Sequence, residues 1–314
     1  MKVVFFGTSS FAASILEHLL SQKNIQIVAI VTRLDKPRGR SLALQAPPVK
    51  EKYLSLNSDI PLYQPPKAST PEFAEILKSY DADLFVVVAY GEIIKSNILE
   101  IPKKGCINIH ASLLPKYRGA APIHRALMDG VKETGITIIE MTPAMDAGDM
   151  LHIEKMAVTD EMTFEEVEKK LCELACIAIT KTIEAFEKGS VTRIPQEVSE
   201  VTFASKLLPQ DEIIDWNKDA YANHYLIRSL SPKPGAFCKI KIGNEEKRLK
   251  IKRSRVIPDK TGAPGSFLLF DKTGWIIACK EGSLQILEVQ LEGKKAMPIE
   301  DFMKGLNQPI SLVF

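Results

Sequence analysis

The segment "KVVFFGTSSFAASILEHLLSQKNIQIVAIVT" (residues 2–32) decides the fold class. Its first run, "KVVFFG", is continuously apolar and ends at Gly7, which is typical of a strand buried on both faces of a parallel sheet. "FAASILEHLLSQ" then has apolar residues at helical spacing, and "QIVAIVT" is a second buried strand. A strand–helix–strand start of this kind predicts an α/β protein with a doubly wound, Rossmann-like sheet.

The same plan continues toward residue 189. "STPEFAEILKSYDADLFVVVAY" (residues 69–90) predicts a helix capped by Ser69 or Thr70, with Pro71 in its first turn, followed by a strand. "KGCINIHAS" and "ETGITIIEMT" predict two more strands, and "IHRALMDG" predicts a helix between them. A long helix over "TFEEVEKKLCELACIAITKTIEAFEKG" is closed by Gly189, so we assign the first domain to residues 1–189.

The character of the sequence changes after Gly189. A polar segment with two prolines follows, and we assign the linker to residues 190–207. Beyond it, "IIDWNKDAYANHYLIRSLSP" predicts a helix, and short strand-like runs separated by turn residues fill the remainder. Short strands at regular spacing predict a small C-terminal β-barrel of the OB-like type at residues 208–314.

The composition indicates an ordinary globular protein. The chain has 314 residues, 45% of them apolar and 25% charged, which fits about two domains. The net charge of +2 excludes a uniformly basic nucleic-acid-binding chain. Residues 207–314 are mildly basic, with 17 Lys+Arg against 13 Asp+Glu, a weak indication of a polyanionic partner that a solvated surface explains equally well.

The cysteines and the N-terminal sequence indicate the cellular compartment in which the protein is expected. Five scattered cysteines argue against a disulfide framework and for a reducing compartment. Cys172 and Cys176 are interpreted as the packed face of a helix rather than a zinc site, because no histidine completes a ligand set. The start lacks signal-peptide features, and no apolar run reaches membrane-spanning length. We therefore expect a cytoplasmic protein without a membrane partner.

The strand "INIH" carries the sharpest chemical signal. Side chains alternate along a strand, so Asn108 and His110 share one face while Ile107 and Ile109 share the other. The run stops at the carboxyl end of the strand, where open α/β sheets place their active sites. An amide can donate to an oxyanion and an imidazole can transfer protons, which suits acyl chemistry. A structural role for the pair is the alternative.

Asp146 follows the strand "GITIIEM" within a turn, and we expect it to face the same cleft, where a carboxylate can orient an imidazole or a water. The alternative is an Asx pair of Asp146 and Asp149 that only forms the turn. "GTSSFA" at Gly7 is not a dinucleotide fingerprint, and the sequence has no phosphate-binding loop, metal-ligand spacing or nucleophile elbow. Direct transfer between two bound substrates, without a metal, is therefore favoured over a covalent intermediate.

Three segments carry a resemblance to a known family: "NIHASLLPKYRGAAPIHRAL" (residues 108–127), "VVVAYGEII" (86–94) and "MDAGDML" (145–151). They resemble the folate-dependent formyltransferases, and specifically the branch that acts on methionyl initiator tRNA. The resemblance extends over nearly the whole chain, including "IDW…IRSLSPKPGAF". It implies transfer of the formyl group of 10-formyltetrahydrofolate to the α-amino group of initiator methionyl-tRNA, through a tetrahedral intermediate, for translation initiation.

The resemblance also assigns roles to residues. Asn108 would polarise the formyl oxygen and stabilise the oxyanion. His110 would donate at the oxyanion and help proton transfer toward the departing folate nitrogen. Asp146 would set the protonation of His110 and guide protons through water. The expected folate-binding residues are the "SLLP" run Ser112, Leu113, Leu114 and Pro115, and the backbone of Tyr90 and Gly91.

A long basic loop, "TRLDKPRGRSLALQAPPVKEK" (residues 32–52), follows the second strand. By the resemblance, a loop with the pattern D-x-P-x-G-R reaches the acceptor stem of the tRNA, and Arg40 is the matching residue. Arg38, Lys36 and Lys206 are further expected tRNA contacts, because lysine and arginine position nucleic acid through its phosphates. The basic run "KRLKIKRSRV" (247–256) would cover the inside of the tRNA's bend. A flexible, solvated loop is the alternative at residues 32–52.

The chain departs from the family pattern at three places. Ser9 replaces a proline in the opening turn, Lys233 replaces a tryptophan in "SPKPGA", and the linker keeps Lys206 but lacks a second lysine.

Four other functions compete with the tRNA-dependent transfer. A formyltransferase acting on an amino-sugar nucleotide should lack the basic loop, and one acting on glycinamide ribonucleotide would end near residue 200. A non-catalytic tRNA-binding protein would not need Asn108, His110 and Asp146, whereas a folate hydrolase would need only these three. We expect a monomer.

Overall fold

The computed structural model describes residues 1–38, 43–56, 59–271, 274–306 and 308–313. The chain divides into two compact units that interleave along the sequence. The first unit contains Met1–Gly119, Thr134–Met156 and Glu168–Phe203, and the second contains Ala120–Glu133, Ala157–Val167 and Ala204–Phe314. Residues 120–133 and 157–167 thus belong to the second unit although they precede residue 189. The domain boundaries drawn at residues 189 and 208 stay a prediction.

The helices and strands follow in chain order. From the N-terminus to the long helix they are β1 (Lys2–Gly7), α1 (Ser10–Ser21), β2 (Gln26–Val31), β3 (Lys36–Arg38), β4 (Ala43–Gln45), α2 (Pro48–Ser55), β5 (Leu62–Tyr63), α3 (Pro71–Lys78), β6 (Leu84–Val88), α4 (Ser96–Leu99), β7 (Cys106–His110), β8 (Arg118–Gly119), α5 (Pro122–Met128), β9 (Glu133–Glu140), β10 (Met150–Ala157) and α6 (Phe164–Lys188). The remaining elements are β11 (Phe203–Ala204), α7 (Ala220–Ser229), β12 (Phe237–Ile242), β13 (Glu245–Ile257), β14 (Phe267–Asp271), β15 (Gly274–Ala278), β16 (Ser283–Leu291), β17 (Met297–Pro298), α8 (Ile299–Lys304) and β18 (Ile310–Val313).

The first unit is built on a seven-stranded sheet in the order β10-β9-β7-β6-β1-β2-β5. The five strands from β7 to β5 pair in parallel, and β9 pairs antiparallel with β7. The chain leaves β1 toward β2 and returns on the other side at β6, so β1 and β6 flank the switch point where such sheets bind ligands. The hydroxyl of Thr8 donates to the carbonyl of Tyr90 there, at 2.7 Å. The predicted Rossmann-like, doubly wound α/β sheet is confirmed.

Local sequence explains where the helices begin. The Thr70 hydroxyl accepts from the Phe73 amide at 3.3 Å and caps α3, so of the two predicted caps, Ser69 and Thr70, the structure uses Thr70. The Ser9 hydroxyl accepts from the Ala12 amide at 3.2 Å and caps α1. The replacement of the family's usual proline by Ser9 is therefore compatible with a well-formed strand-to-helix turn.

The second unit contains an antiparallel sheet in the order β14-β15-β16-β13-β12-β18, with β17 paired to β16. In the part of the chain that the structure describes, no pairing joins the edge strands β14 and β18, so the expected small barrel is an open half-barrel. Its core packs around the fully buried Trp275 and includes Ile227 of α7 and Phe302 of α8. In the described ranges, no helix has both the length and the apolar character needed to cross a membrane.

The second unit should be sensitive to acid through His124. The imidazole stacks on Phe164 with ring centroids 3.9 Å apart, and burial lowers its pKa to about 4 from the ordinary 6.5. The unfolded chain therefore binds this proton at a higher pH than the folded chain does. The resulting stability is fully present above pH 6.5 and is lost as the pH falls toward 4.

We predict that the free energy of unfolding of the second unit drops by about 2 kcal/mol between pH 7 and pH 4.5 because of His124 alone. In His124→Phe, which keeps an aromatic ring against Phe164, the drop should be smaller by that amount. Urea denaturation of both proteins at the two pH values measures the difference. Equal pH dependence in the two proteins would show that His124 is not the responsible group.

Candidate active site

Asn108, His110 and Asp146 converge in the first unit. His110 Nδ1 lies 3.6 Å from Asp146 Oδ2, and the Asn108 amide donates to Asp146 Oδ1 at 3.4 Å. The imidazole is only 5% exposed. As the alternation of "INIH" predicts, the asparagine and the histidine share one face of β7. The structure therefore brings the three predicted residues into one cluster, while their catalytic roles stay a prediction.

The hydrogen-bond partner of Nε2, the second ring nitrogen, defines the tautomer of His110. Nε2 lies 2.8 Å from the carbonyl oxygen of Tyr117. A carbonyl only accepts, so Nε2 carries the proton and donates it. In the neutral ring, Nδ1 then has a free lone pair on the side of Asp146. Nδ1 is the nitrogen that can take up and release a proton.

Asp146 reaches the cluster by a route that the sequence does not predict. Because β9 runs antiparallel to β7, its carboxyl end lies beside the start of β7, away from His110. The turn between β9 and β10 folds back and returns Asp146 to the site. There the Gly119 amide donates to Asp146 Oδ2 at 2.8 Å. The residue has φ +50°, a left-handed conformation that is uncommon outside glycine and is often found at functional sites.

Gly148, in the same turn, packs against the backbone of β9. A Cβ atom at this position would overlap the carbonyl oxygen of Glu140 and lie 2.8 Å from its carbonyl carbon. Only glycine allows this approach, so the shape of the turn depends on it. Sequence reasoning missed Gly148 as a site residue, although the "DAGD" pattern contains it.

Gly148→Ala should therefore lower both stability and turnover. We expect a loss of about 1–3 kcal/mol in the free energy of unfolding, because the turn must move away from β9 and takes Asp146 with it. Denaturation and kcat, measured on the same preparation, test this. Gly305→Ala is the control, since the added methyl group would make only ordinary contacts there, at 3.6 Å or more. A Gly148→Ala enzyme with unchanged stability would refute the close packing.

Most of the residues expected to bind folate are buried and engaged within the protein. Ser112 donates to the Lys116 carbonyl at 2.7 Å, and the Leu114 amide donates to the Thr137 hydroxyl at 3.1 Å. Pro115 is also buried, and Leu113 is half-buried. The "SLLP" run therefore forms a packed turn after β7, and Leu113 is its most accessible side chain.

Tyr90 and Gly91 lie at the carboxyl end of β6. The ring of Tyr90 is 2% exposed, and burial raises the pKa of its hydroxyl to about 12. Gly91 has φ +82°, and a Cβ there would meet no atom within 4 Å, so its backbone faces open space. Of these two residues, Gly91 has backbone that a ligand can approach.

A cavity of about 390 Å³ lies in the first unit beside the turn that carries Asp146. This volume is in the range of small-molecule sites. Apolar and acidic side chains share its wall, among them Leu99, Cys106, Met141, Glu140 and Asp149. The sequence did not single out these five residues for binding, because each belongs to a pattern that is equally typical of a core strand or turn.

The basic loop, residues 32–52, contains six cations, and at least three of them, Arg33, Lys50 and Lys52, form ion pairs with described residues. Arg33 forms an ion pair with Glu92. Lys50 donates to both oxygens of Asp35, at 3.0 and 2.8 Å, and to Gln64 Oε1 at 2.8 Å. The hydrogen bonds from Gln64 and Lys50 lower the pKa of the Asp35 carboxyl. Lys50 thus fastens the base of the loop.

The four expected tRNA contacts differ in what the structure shows. Lys36 is exposed in β3, and Arg38 ends that strand. Arg40 lies outside the described residues. Lys206 is exposed in the second unit, and its carbonyl accepts from Arg125 at 3.3 Å. Because Lys36 and Lys206 are exposed, their side chains are accessible to a phosphate group.

Several cations of the basic strand β13, in the second unit, already have partners within the protein. Lys250 and Lys252 each donate to a proline carbonyl at 2.5 Å, and burial lowers the pKa of Lys252. Arg253 pairs with Glu166 at 2.8 Å, whereas Arg255 is exposed. The strand therefore offers a phosphate fewer free cations than its sequence suggests.

Comparison with known proteins identifies the family. The formyl transferase model matches residues 1–183, and the model of the formyl transferase C-terminal domain matches residues 206–307. The methionyl-tRNA formyltransferase of Protochlamydia amoebophila is 47% identical over 308 residues, covering 98% of this chain and 96% of the relative. That of Chlamydia pneumoniae is 41% identical, covering 97% and 95%.

Solved structures support the fold. An N-formyltransferase from Helicobacter canadensis, in complex with folinic acid and dTDP-3-aminofucose, has a TM-score of 0.67 at 18% identity, covering 91% of this chain and 98% of that one. HypX from Aquifex aeolicus, in complex with tetrahydrofolic acid, has a TM-score of 0.64 at 17% identity. The match covers 98% of this chain but only 48% of HypX, about half of its length. Since relatives at 41–47% identity match over at least 95% of both chains, the chain belongs to the methionyl-tRNA formyltransferases, a family of folate-dependent formyl transferases.

Proposed function

We propose that this protein transfers the formyl group of 10-formyltetrahydrofolate to the α-amino group of initiator methionyl-tRNA, and that Asn108, His110 and Asp146 carry out the reaction. The observation that supports this most strongly is the convergence of the three side chains, with His110 Nδ1 lying 3.6 Å from the Asp146 carboxylate. An amide donor, a proton carrier and a carboxylate are the groups that amine attack on a formyl carbonyl requires.

The proposed reaction assigns one step to each of the three side chains. As the methionyl nitrogen bonds to the formyl carbon, negative charge develops on the formyl oxygen, and the amide hydrogens of Asn108 are placed to stabilise it. The attacking amine must lose a proton, and the folate nitrogen must gain one as its bond to the formyl carbon breaks. His110 Nδ1 can accept and return a proton, while Tyr117 holds Nε2–H and keeps the ring oriented. Asp146 stabilises the imidazolium while it exists.

The folate has a suitable location beside these residues. The cavity next to the Asp146 turn combines apolar walls with the carboxylates of Glu140 and Asp149, and a flat ring with N–H donors needs both. We assign the ring system to this cavity, with the backbone at Gly91 and the accessible Leu113 as further contacts. Ser112, Leu114, Pro115 and Tyr90 do not line this cavity, and their role is then to support the backbone that carries Leu113 and Gly91.

The basic loop is the proposed contact for the acceptor stem, through Lys36, Arg38 and Arg40, and Lys206 is a further contact. Because Lys50 is occupied by Asp35 and Gln64, its contribution is to fix the loop. At the base of the loop, these three hydrogen bonds argue against free solvation, whereas residues 39–42 lie outside the described residues. The same proposal places the enzyme in the cytoplasm, where charged initiator tRNA is found, and treats it as a monomer.

Lys50→Met should impair the use of tRNA and leave folate binding intact. We expect the KM for methionyl-tRNA to rise roughly tenfold, about 1.4 kcal/mol of apparent binding free energy, while the KM for the formyl donor stays unchanged. Steady-state kinetics with each substrate varied in turn measures this. Lys52→Met, on the same helix but paired at the surface with Glu17, should have no effect. A higher KM for the donor instead would place Lys50 in the folate site.

A comparison of acceptors tests the proposed function. The purified protein is mixed with 10-formyltetrahydrofolate and, in separate reactions, with charged initiator tRNA, an amino-sugar nucleotide, or buffer alone. We expect N-formylmethionine on the tRNA and no product in the other reactions. Formylation of the sugar without the tRNA would identify a sugar formyltransferase, and release of formate in buffer alone would identify a folate hydrolase. Either result overturns the proposal.

A further inference from the structure

The segment that the sequence assigns to the linker lies against the Asp146 turn within the first unit. Arg193 forms a forked ion pair with Glu140, at 2.8 and 3.2 Å, and Ile194 exchanges two backbone hydrogen bonds with Met150, at 2.8 and 3.0 Å. Further along, the Thr202 carbonyl accepts from the Arg118 amide at 2.9 Å. This segment is therefore part of the scaffold around the site.

Gln196 occupies the centre of that scaffold. Its Nε2 donates to the carbonyls of Asp146 and Gly148, both at 2.8 Å, and its Oε1 accepts from Arg118 Nε and Nη2, at 3.0 and 2.7 Å. Both amide hydrogens and both oxygen lone pairs are thus used. The side chain is 9% exposed, so water does not offer an easy replacement for these bonds.

The bonds from Gln196 hold a backbone conformation that is unfavourable by itself. Asp146 has φ +50°, and the neighbouring part of the turn, residues 142–145, is exposed. The carboxylate of Asp146 is fixed by the Gly119 amide, and its carbonyl is fixed by Gln196. The second bond of Gln196, to Gly148, fixes the turn on the other side of Asp146. Few other hydrogen bonds of the described residues restrain this turn.

We propose that Gln196 is a positioning residue for formyl transfer, which fixes the Asp146 carboxylate beside His110 Nδ1 by donating to the two carbonyls of the turn. This inference rests on the proposed catalytic role of Asp146. Among the described residues, the hydrogen bonds of the Gln196 side chain go to Arg118, Asp146 and Gly148, and none goes to Asn108 or His110. Its loss should therefore lower kcat and leave the KM for methionyl-tRNA unchanged, while the KM for the formyl donor rises only modestly, because the same turn borders the proposed folate cavity.

The competing interpretation is that Gln196 only attaches the linker, through Arg118. Two substitutions separate the interpretations. Gln196→Glu keeps an oxygen for the Arg118 guanidinium and adds an ion pair, but at neutral pH it places a second oxygen without a proton against the two carbonyls. Gln196→Leu removes all four hydrogen bonds. Gln210→Glu is the matched control, because Gln210 is exposed and lies outside the first unit.

The experiment measures kcat and both KM values for the full-length wild type, the three glutamine variants and Asp146→Asn, together with amide hydrogen exchange over residues 142–149. We expect Gln196→Glu and Gln196→Leu to lose about 100-fold in kcat, as for a displacement of about 1 Å in a catalytic group. The KM for methionyl-tRNA should be unchanged, the KM for the donor should rise only a few-fold, and amide exchange of the turn should be faster. Gln210→Glu should match the wild type. If Gln196→Leu does not fold, Gln196→Glu alone carries the comparison.

Two results would overturn the inference, and a third would overturn its basis. Wild-type kcat in Gln196→Glu would show that only the Arg118 attachment matters. A raised donor KM with unchanged exchange of the turn would show a role in folate binding instead. In both cases Asp146→Asn remains impaired, so the proposed function stands. Wild-type kcat in Asp146→Asn would contradict the proposed function itself.

Discussion

His110→Ala is expected to lower the kcat of formyl transfer by about 100- to 10,000-fold, the range that a general acid–base group contributes. The alanine variant has no group that can take the amine proton at the position of Nδ1, and the Tyr117 carbonyl loses its donor. Neither change affects the basic loop, so affinity for methionyl-tRNA should not change. Single-turnover formylation and a tRNA-binding assay on the same variant measure the two quantities.

The matched control is His152→Ala. His152 is a half-buried histidine of β10 whose Nε2 lies 2.8 Å from Glu154, outside the proposed site. It should retain wild-type turnover. The assignment of His110 would be wrong if His110→Ala turned over normally while binding tRNA poorly, because the imidazole would then act on the acceptor and not on the reaction.

Asp146→Asn should lower kcat by roughly 1,000- to 10,000-fold, as happens when the carboxylate that orients a catalytic histidine becomes an amide. The asparagine oxygen can still accept from the Gly119 amide, but its NH₂ group then faces the NH₂ group of Asn108. The negative charge beside His110 Nδ1 is also lost. Asparagine tolerates a left-handed backbone well, so the turn should keep its shape.

Asp81→Asn provides a control with the same backbone requirement. Asp81 has φ +48°, compared with +50° at Asp146, and its carboxylate pairs with Lys103 at the surface. The variant should match the wild type in kcat and nearly match it in stability. Circular dichroism and denaturation of both variants exclude misfolding. Normal turnover in Asp146→Asn would mean that the carboxylate serves only to form the turn.

The fold was largely predictable because its signals are local. Buried strands, the Thr70 cap and the helical spacing of residues 11–22 depend on neighbours in the chain. Asn108 and His110 could be paired from strand alternation alone, and the family resemblance added the reaction and the acceptor. The small C-terminal domain was predicted correctly as strands, but whether its sheet closes depends on pairings between distant residues.

The sequence did not predict the features that depend on contacts between distant segments. The antiparallel direction of β9 puts its end away from His110, so Asp146 reaches the site only because the turn folds back. Gln196 lies 50 residues from Asp146, in a segment whose polarity predicted a linker. The sequence places Lys50 in the basic loop, but only its partners, Asp35 and Gln64, show that it fixes the base of that loop. In each case a polar side chain acquires its role from a partner that local pattern does not identify.

The central claim is that His110 and Asp146 act as one unit on the formyl group, and a double-mutant cycle tests it most directly. Single-turnover rates at saturating 10-formyltetrahydrofolate and methionyl-tRNA are measured for the wild type, His110→Ala, Asp146→Asn and the double variant. Residues that work as a unit lose little more together than one loses alone. We predict that the double variant is about as slow as His110→Ala. A loss equal to the product of the two single losses would contradict the account.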